Sequence, residues 1–235
     1  MSYILVTGAA KNIGKAISLL LAKKGYDIAV HYKDSEDEAL ALQDEIRGYG
    51  VQSEVIYGDF STKKGLDAFI SLVKQKLKKV KGLVNNASVY KVGPLKDTSF
   101  FDLENLYQVN LFTPFYLINS FVKELIEQKG SIVNIGMCGL LTNMVDNYAP
   151  AYQMSKLSLL MLTKSLAKSL AKYKIRVNMV SPGYTETSVD LPQRGTNLPF
   201  GRAAKNVEIA EAVLFFMSHS YITGQNMEVA GGVRL

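Results

Sequence analysis

The 235-residue chain predicts an α/β fold, a doubly wound, mainly parallel sheet of seven strands with helices on both faces. Three observations predict it. Short apolar runs alternate with amphipathic runs from the first residues to the last, the pattern of right-handed strand–helix–strand crossovers. A glycine-bearing turn joins the first strand to the first helix. Residues with polar or conformationally special side chains recur where strands end, and parallel sheets bind their ligands beyond those ends.

Taken in order, Tyr3-Ile4-Leu5-Val6 reads as a buried strand, and Ile13 to Lys24 places Ile13, Ala16, Ile17, Leu20 and Leu21 on one helical face before Gly25. Asp27 to Val30 is a second strand. Ser35 with Glu38 has capping-box spacing for a helix to about Arg47. Val51 to Tyr57 predicts the third strand, and Ser61 is the candidate cap for a helix over Thr62 to Lys79. Gly82-Leu83-Val84 predicts the fourth strand. A helix from about Phe100 to Gln128 must bend at Pro114. Ser131 to Gly136 is a strand, Ala151 to Lys172 a helix and Ile175 to Val180 a strand broken by Ser181-Pro182-Gly183. Ser188 to Lys205, with two prolines and little periodicity, predicts a mobile substrate loop or lid. A helix over Val207 to Ser218 and a strand over Asn226 to Val229 finish one domain spanning residues 1–235.

Composition narrows the function classes. Apolar content of 48% supplies a sizeable core, and a single cysteine, Cys138, excludes an internal disulfide. No signal peptide is recognisable and no apolar run approaches the roughly 20 residues that span a bilayer, so a cytoplasmic protein without membrane contact is expected. The net charge of +6 is dispersed over helix surfaces such as Lys74 to Lys79, without a nucleic-acid-binding motif or zinc-finger spacing. Neither nucleic acid nor a metal is expected.

Two stretches carry chemistry. Thr7-Gly8-Ala9-Ala10-Lys11-Asn12-Ile13-Gly14 leads from strand to helix, where backbone N–H groups and the helix dipole favour a phosphate. In Ala149-Pro150-Ala151-Tyr152-Gln153-Met154-Ser155-Lys156, Tyr152 and Lys156 share a helical face, and none of the other twelve tyrosines has a lysine four residues on. An ammonium beside a phenol favours its ionised form, so such a tyrosine is tuned to exchange a proton with an oxygen on carbon.

Together with Asn85-Asn86-Ala87-Ser88, Asn110, Ile175-Arg176-Val177-Asn178, Ser181-Pro182-Gly183, Ile222-Thr223-Gly224-Gln225 and Gly231-Gly232, these runs resemble the short-chain dehydrogenase/reductase family over nearly the whole chain. The resemblance implies a Rossmann-type fold and a nicotinamide cofactor. It implies Tyr152 as general acid, Lys156 as its partner and ribose ligand, and Asn110 as the holder of a relay water. It places Gly8, Lys11, Asn12, Ile13 and Gly14 against the pyrophosphate side and Asp59, Phe60, Asn86 and Ala87 along the adenosine half. Pro182, Gly183, Thr185 and Thr187 fall beside the nicotinamide. Relatives that prefer NAD carry an acidic residue at the second strand end. Here His31-Tyr32-Lys33 stands there, with Lys11 nearby and Asp34 one residue on, which implies NADP(H) rather than NAD.

Two departures qualify the resemblance. Asn12 replaces a glycine of the turn, in a position where asparagine tolerates a left-handed backbone. Met137 stands where the family has the serine that hydrogen-bonds the substrate oxygen, and a thioether cannot donate; Cys138, Thr142 and Asn143 are the neighbouring candidates to replace it. The family implies a small carbonyl substrate, either a 3-oxoacyl thioester on an acidic carrier protein or, from the Thr7–Lys11, His31-Tyr32, Asn85–Ser88 and Leu198–Arg202 runs, a pterin. A catalytically impaired NADP-binding protein is the alternative that Met137 leaves open. The family also implies a homotetramer or homodimer formed through the long helices.

Overall fold

The computed structural model describes residues 1–142 and 145–234, with the side chains of 193 and 194 outside the description. Seven strands, β1 Tyr3–Val6, β2 Asp27–Tyr32, β3 Ser53–Tyr57, β4 Val80–Asn85, β5 Ser131–Ile135, β6 Arg176–Pro182 and β7 Asn226–Val229, form one sheet in the order β3-β2-β1-β4-β5-β6-β7. Every strand pairing is parallel. The helices are α1 Asn12–Lys23, α2 Glu36–Arg47, α3 Lys63–Lys76, α4 Phe100–Tyr107, α5 Thr113–Ser120, α6 Val122–Gln128, α7 Pro150–Leu170 and α8 Asn206–Ser218.

The two faces of the sheet are read directly from residue alternation. In β1, Tyr3 and Leu5 join the core beneath α3, α5, α6 and α7, where Phe69, Leu117, Phe121 and Leu125 are buried. Ile4 and Val6 face the other way, onto α1, α2 and α8 through Ile17, Leu21, Leu42, Val213 and Phe216. Burial on both faces is why β1 has no polar residue. The strand order reverses between β1 and β4, so a crevice opens at their carboxyl ends, where successive strands are added outward through β2 and β3 on one side and through β5, β6 and β7 on the other.

The structure corrects several local expectations. Ser35 is the N-cap of α2 but its side chain makes no capping bond. Glu38 is drawn instead to Lys11, 2.6 Å away, so no capping box forms. The cap of α3 is Thr62, the residue before the first helical position Lys63, and its hydroxyl accepts from Gly65 N at 3.1 Å; Ser61 lies one residue earlier, its amide donating to Asp59 Oδ1 at 2.9 Å. β6 runs through Ser181 and Pro182, which pair in register with Glu228 and Val229; the proline sits at the strand end, where its missing N–H costs little.

The helix expected over Phe100 to Gln128 is three helices. Pro114 has no N–H to give the carbonyl of Asn110, and the backbone widens into a π turn over Gln108–Phe112. Thr113 Oγ1 donates to Gln108 O at 2.9 Å within that turn. A further break at Phe121 separates α5 from α6. The segment after β6 is tied at its base by pairing between Thr185 and Ala204, with Glu186 N donating to Ala204 O at 2.8 Å.

Gly14 shows how tightly the first turn is closed. A Cβ there would stand 2.1 Å from Gly8 O and 2.9 Å from Ala9 Cα, both backbone atoms. Gly14→Ala is therefore expected to lower the free energy of unfolding by about 1–3 kcal/mol through overpacking, measured by urea denaturation with an unchanged m-value.

Candidate active site

The glycine turn is built by side chains from three strands. Gly8 holds φ +60°, and Asn12 holds φ +50°, the left-handed conformation anticipated for an asparagine there. Thr7 Oγ1, at the end of β1, accepts from Asn86 N at 2.9 Å and Ala87 N at 3.0 Å. Asn86 Nδ2 returns bonds to Thr7 O at 3.0 Å and Gly8 O at 2.9 Å. These four bonds lock the β1 and β4 ends together and hold the turn open toward solvent. At the start of α1, the N–H groups of Asn12, Ile13 and Gly14 have no carbonyl one turn behind them within the helix.

His31 is a strut rather than a cation. It is buried, its Nδ1 accepts from Gly8 N at 2.8 Å and its Nε2 contacts Gly58 O at 3.0 Å, which fixes the neutral ring with the proton on Nε2. The ring stacks on Phe60, 4.1 Å between centroids, and meets Phe69 edge-on. Burial holds its pKa down at about 4. Tyr32 points away and is not among the cleft-lining residues; its hydroxyl donates to Glu36 at 2.8 Å. Lys33 does line the cleft, 3.1 Å from Asp59, and Lys11 reaches Glu38. Each expected cation thus carries a carboxylate partner, although none of the four side chains is fully buried.

The crevice is a cleft of ≈ 850 Å³ that runs from Lys11, Lys33 and Asp59 past Asn86 and Ala87 to Tyr152, Lys156, Pro182, Gly183, Thr185 and Thr187. Its length and lining fit a dinucleotide: N–H groups at the first turn, a strut-fixed glycine where the backbone must be approached closely, and a phenol–ammonium pair at the far end. Thr185 and Thr187 are linked to each other at 3.4 Å between hydroxyls, and Thr187 donates to Asn206 Oδ1 at 3.1 Å.

Tyr152 and Lys156 lie on the same face of α7, with Lys156 Nζ 5.5 Å from the Tyr152 ring centroid. Lys156 is buried, donates to Ile135 O at 2.8 Å and has no carboxylate within ion-pair distance among the described residues. Burial pushes its pKa down to about 7. Burial also pushes the Tyr152 phenol up to about 12, opposed by a hydrogen-bonding contact with Ser88. The expected lowering of the phenol by the ammonium is therefore not what the protein alone produces. Desolvation acts on both groups, and a lysine drained of charge cannot offset it.

Asn110 lies beneath this pair and outside the cleft lining. Its Oδ1 accepts from Ser88 Oγ and Val89 N, both at 3.0 Å, and its Nδ2 donates to Val89 O and Ser155 Oγ, also at 3.0 Å. All its side-chain capacity is engaged, so the amide itself has nothing left for a relay water. It braces Ser88 and the loop after β4 against α7.

Met137 lines the cleft but packs against the cluster of Leu140, Leu159, Leu160 and Met179. Of the candidates to replace the serine, Cys138 lines the cleft with its thiol pushed up to about 11 by burial, and Thr142 Oγ1 turns away to Gly139 O at 2.8 Å. Asn143 lies outside the described residues. The rest of this end was not legible in the sequence: Ser88, Tyr90, Asp146, Tyr148, Tyr184, Asp190 and Arg234 all line it. Tyr90 packs edge-on against Tyr152, 4.7 Å between centroids, and donates to Asp190 Oδ2 at 2.7 Å across one hundred residues of chain. Only Ser88 carried a local signal, standing where the resembling run ends in glycine.

The chain belongs to the short-chain dehydrogenase/reductase family of oxidoreductases: residues 8–234 match the family model described as enoyl-(acyl carrier protein) reductase. It is 33% identical to the 3-oxoacyl-[acyl-carrier-protein] reductase FabG of Staphylococcus aureus over 240 residues, covering 97% of this chain and 96% of that one. The fold matches acetoin dehydrogenase YohF from Salmonella typhimurium with a TM-score of 0.90 and 32% identity, over 98% of this chain and 95% of the other. It matches a blue fluorescent protein from a metagenomic library, solved in complex with NADPH, with a TM-score of 0.91 and 30% identity over 100% and 98% of the two chains.

The environment of Lys156 has a measurable consequence. Above about pH 7 the folded protein holds Lys156 neutral, whereas the unfolded chain keeps that proton to about pH 10.4. The unfolded state then binds more protons across this window, so stability rises with pH. The unfolding free energy of the wild type minus that of Lys156→Met is expected to climb between pH 7 and 10, by up to about 1.4 kcal/mol per unit. A difference that stays flat across urea titrations at these pH values contradicts it.

Proposed function

We propose that this protein is an NADPH-dependent carbonyl reductase that reduces a 3-oxoacyl thioester to the 3-hydroxyacyl form. The observation that carries the proposal is the placement of Tyr152 and Lys156 at one end of a cleft whose other end is the strut-held glycine turn. Bound NADPH would supply the hydride. The Tyr152 phenol, protonated throughout the neutral range at a pKa of about 12, donates its proton to the carbonyl oxygen, while Lys156 holds ribose hydroxyls. The cofactor-bound neighbour and the two lysines at the adenosine end support NADPH over NADH. Re-pairing Lys11 and Lys33 from exposed carboxylates to a 2′-phosphate costs little, because exposed ion pairs contribute about 0–1 kcal/mol.

The thioester substrate rests on the likeness to the Staphylococcus aureus enzyme and on the basic surface, which would attract an acidic carrier. The aromatic lining of Tyr90, Tyr148 and Tyr184 favours a second substrate class, a flat ring such as a pterin. The loop over residues 188–205 would cover either substrate, clasped through Tyr90 and Asp190. Assembly of copies is supported by exposed apolar side chains: Phe100 at 80% exposure, Phe112, Phe115, Leu157 and Met161 are uncovered on α4, the π turn, α5 and α7, while the opposite side of α7 is buried in the core. We place the protein in the cytoplasm on its single thiol, Cys138; no described helix is long and apolar enough to cross a membrane.

Purified protein is expected to oxidise NADPH with an acetoacetyl thioester, and Tyr152→Phe to reduce kcat by at least about 10²-fold, the low end for a general acid, while NADPH still binds. Binding of NADPH without turnover of thioesters, pterins or small diketones leaves the impaired, cofactor-binding reading instead. Met137→Ser, which restores a donor, is expected to raise kcat by up to about 10²-fold; an unchanged rate shows that the substrate oxygen is held by another group. Lys11→Ala combined with Lys33→Ala is expected to weaken NADPH binding about tenfold or more and to spare NADH, read by calorimetry.

A further inference from the structure

The substrate end of the cleft contains a charge pair that none of the roles above uses. Asp146 lies in the stretch between β5 and α7, where Tyr152 follows Met137 by fifteen positions. Its side chain is 8% exposed, and its carboxylate takes Arg234 Nη2 on one oxygen and the amides of Tyr148 and Ala149 on the other, at 2.9 and 3.3 Å. Asp146 is thereby nearly saturated as an acceptor.

Arg234 is not. Asp146 takes one of its five N–H groups in the described hydrogen bonds, and the side chain lines the cleft. Its stem lies across Gly139, where a Cβ would stand 2.7 Å from Arg234 Cδ, so that glycine is what admits the arginine. Gly139 is fixed in turn by its amide, which donates to Glu228 Oε1 at 3.0 Å. Arg234 lines the same cleft as Tyr152 and Cys138, and Cys138 adjoins the Gly139 over which the arginine stem lies. A guanidinium held by a saturated carboxylate, with N–H groups left over in a cleft, is built to bind an acceptor.

Resting on the carbonyl-reductase reading, we propose that Arg234 is a specificity-determining residue that binds a second oxygen of the substrate, a further carbonyl or a carboxylate, while Tyr152 meets the carbonyl being reduced. A ketone with a lone carbonyl leaves the arginine unused. A 1,3-dicarbonyl compound or an oxo acid engages both.

The test compares methyl acetoacetate, acetoacetate and 2-butanone as substrates for the full chain with NADPH. Arg234→Met keeps a side chain of similar reach over Gly139 and removes the donors; Arg234→Lys keeps the charge. Arg234→Met is expected to raise KM for the two acetoacetate probes about 10- to 100-fold more than for 2-butanone, the loss of one charged hydrogen bond, with Arg234→Lys recovering part of it. A larger effect on acetoacetate than on its ester identifies the carboxylate as the preferred acceptor; equal effects identify the carbonyl. A change that is the same for all three probes, or absent, overturns the proposal. NADPH affinity and thermal melting check that each variant is folded. Should the wild type turn over none of the probes, the reductase reading fails by itself. Arg234 is then judged by saturation-transfer NMR of methyl acetoacetate on the NADP-loaded chain: a wild-type signal lost in Arg234→Met upholds it, and equal signals or none overturn it.

Discussion

The hydrogen bond from Lys156 Nζ to Ile135 O is the constraint on which the site depends. It draws an ammonium into a space where no described carboxylate can balance it, at the end of β5. A single carbonyl dipole does not replace a hydration shell, so the folded chain holds this lysine at the edge of discharge. The cost is local and the arrangement is precise in consequence. α7 is anchored to the sheet at that point, and Tyr152, one turn before, is delivered to the cleft beside it.

The two ends of the cleft are organised by different physics. At the phosphate end the side chains are structural: Thr7, Asn86 and neutral His31 spend their hydrogen bonds on backbone so that the α1 amides stay exposed. Cation chemistry there is left to Lys11 and Lys33, on flexible stems at the surface. At the substrate end the pattern is reversed, with tyrosines and charges collected from four separate segments and hydrogen-bonded to one another rather than to the sheet. Met137 fits this second pattern. Its thioether has joined an apolar cluster, and the polar side chains that line this end of the cleft come from elsewhere in the chain.

The alternation of strands and helices, the glycine turn and the Tyr152–Lys156 spacing were legible because each depends on residues within a few positions of one another. Periodicity places Ile4 and Val6 opposite Tyr3 and Leu5 without any knowledge of the partners. Ends were less legible. Ser61 and Thr62 are equally good caps by composition, and Thr62 is the cap because the helix starts at Lys63, a boundary that composition does not fix. Glu38 looked like a capping residue until Lys11, distant in sequence, came within reach. His31 read as part of a phosphate site, whereas Phe60, Phe69, Gly8 and Gly58 surround it and make it neutral.

By itself the sequence determined the parallel sheet, its seven strands, the anion-ready turn and the presence of an acid beside a lysine, since these follow from backbone geometry and near-neighbour spacing. Tertiary structure alone decided which groups are charged, which are spent and which face the cleft. Asn110 is consumed by Ser88, Val89 and Ser155, and Arg234 reaches Asp146 across 88 residues. Burial and partnership set the protonation and the free hydrogen-bonding capacity of a side chain, and both depend on segments that meet only when the sheet closes.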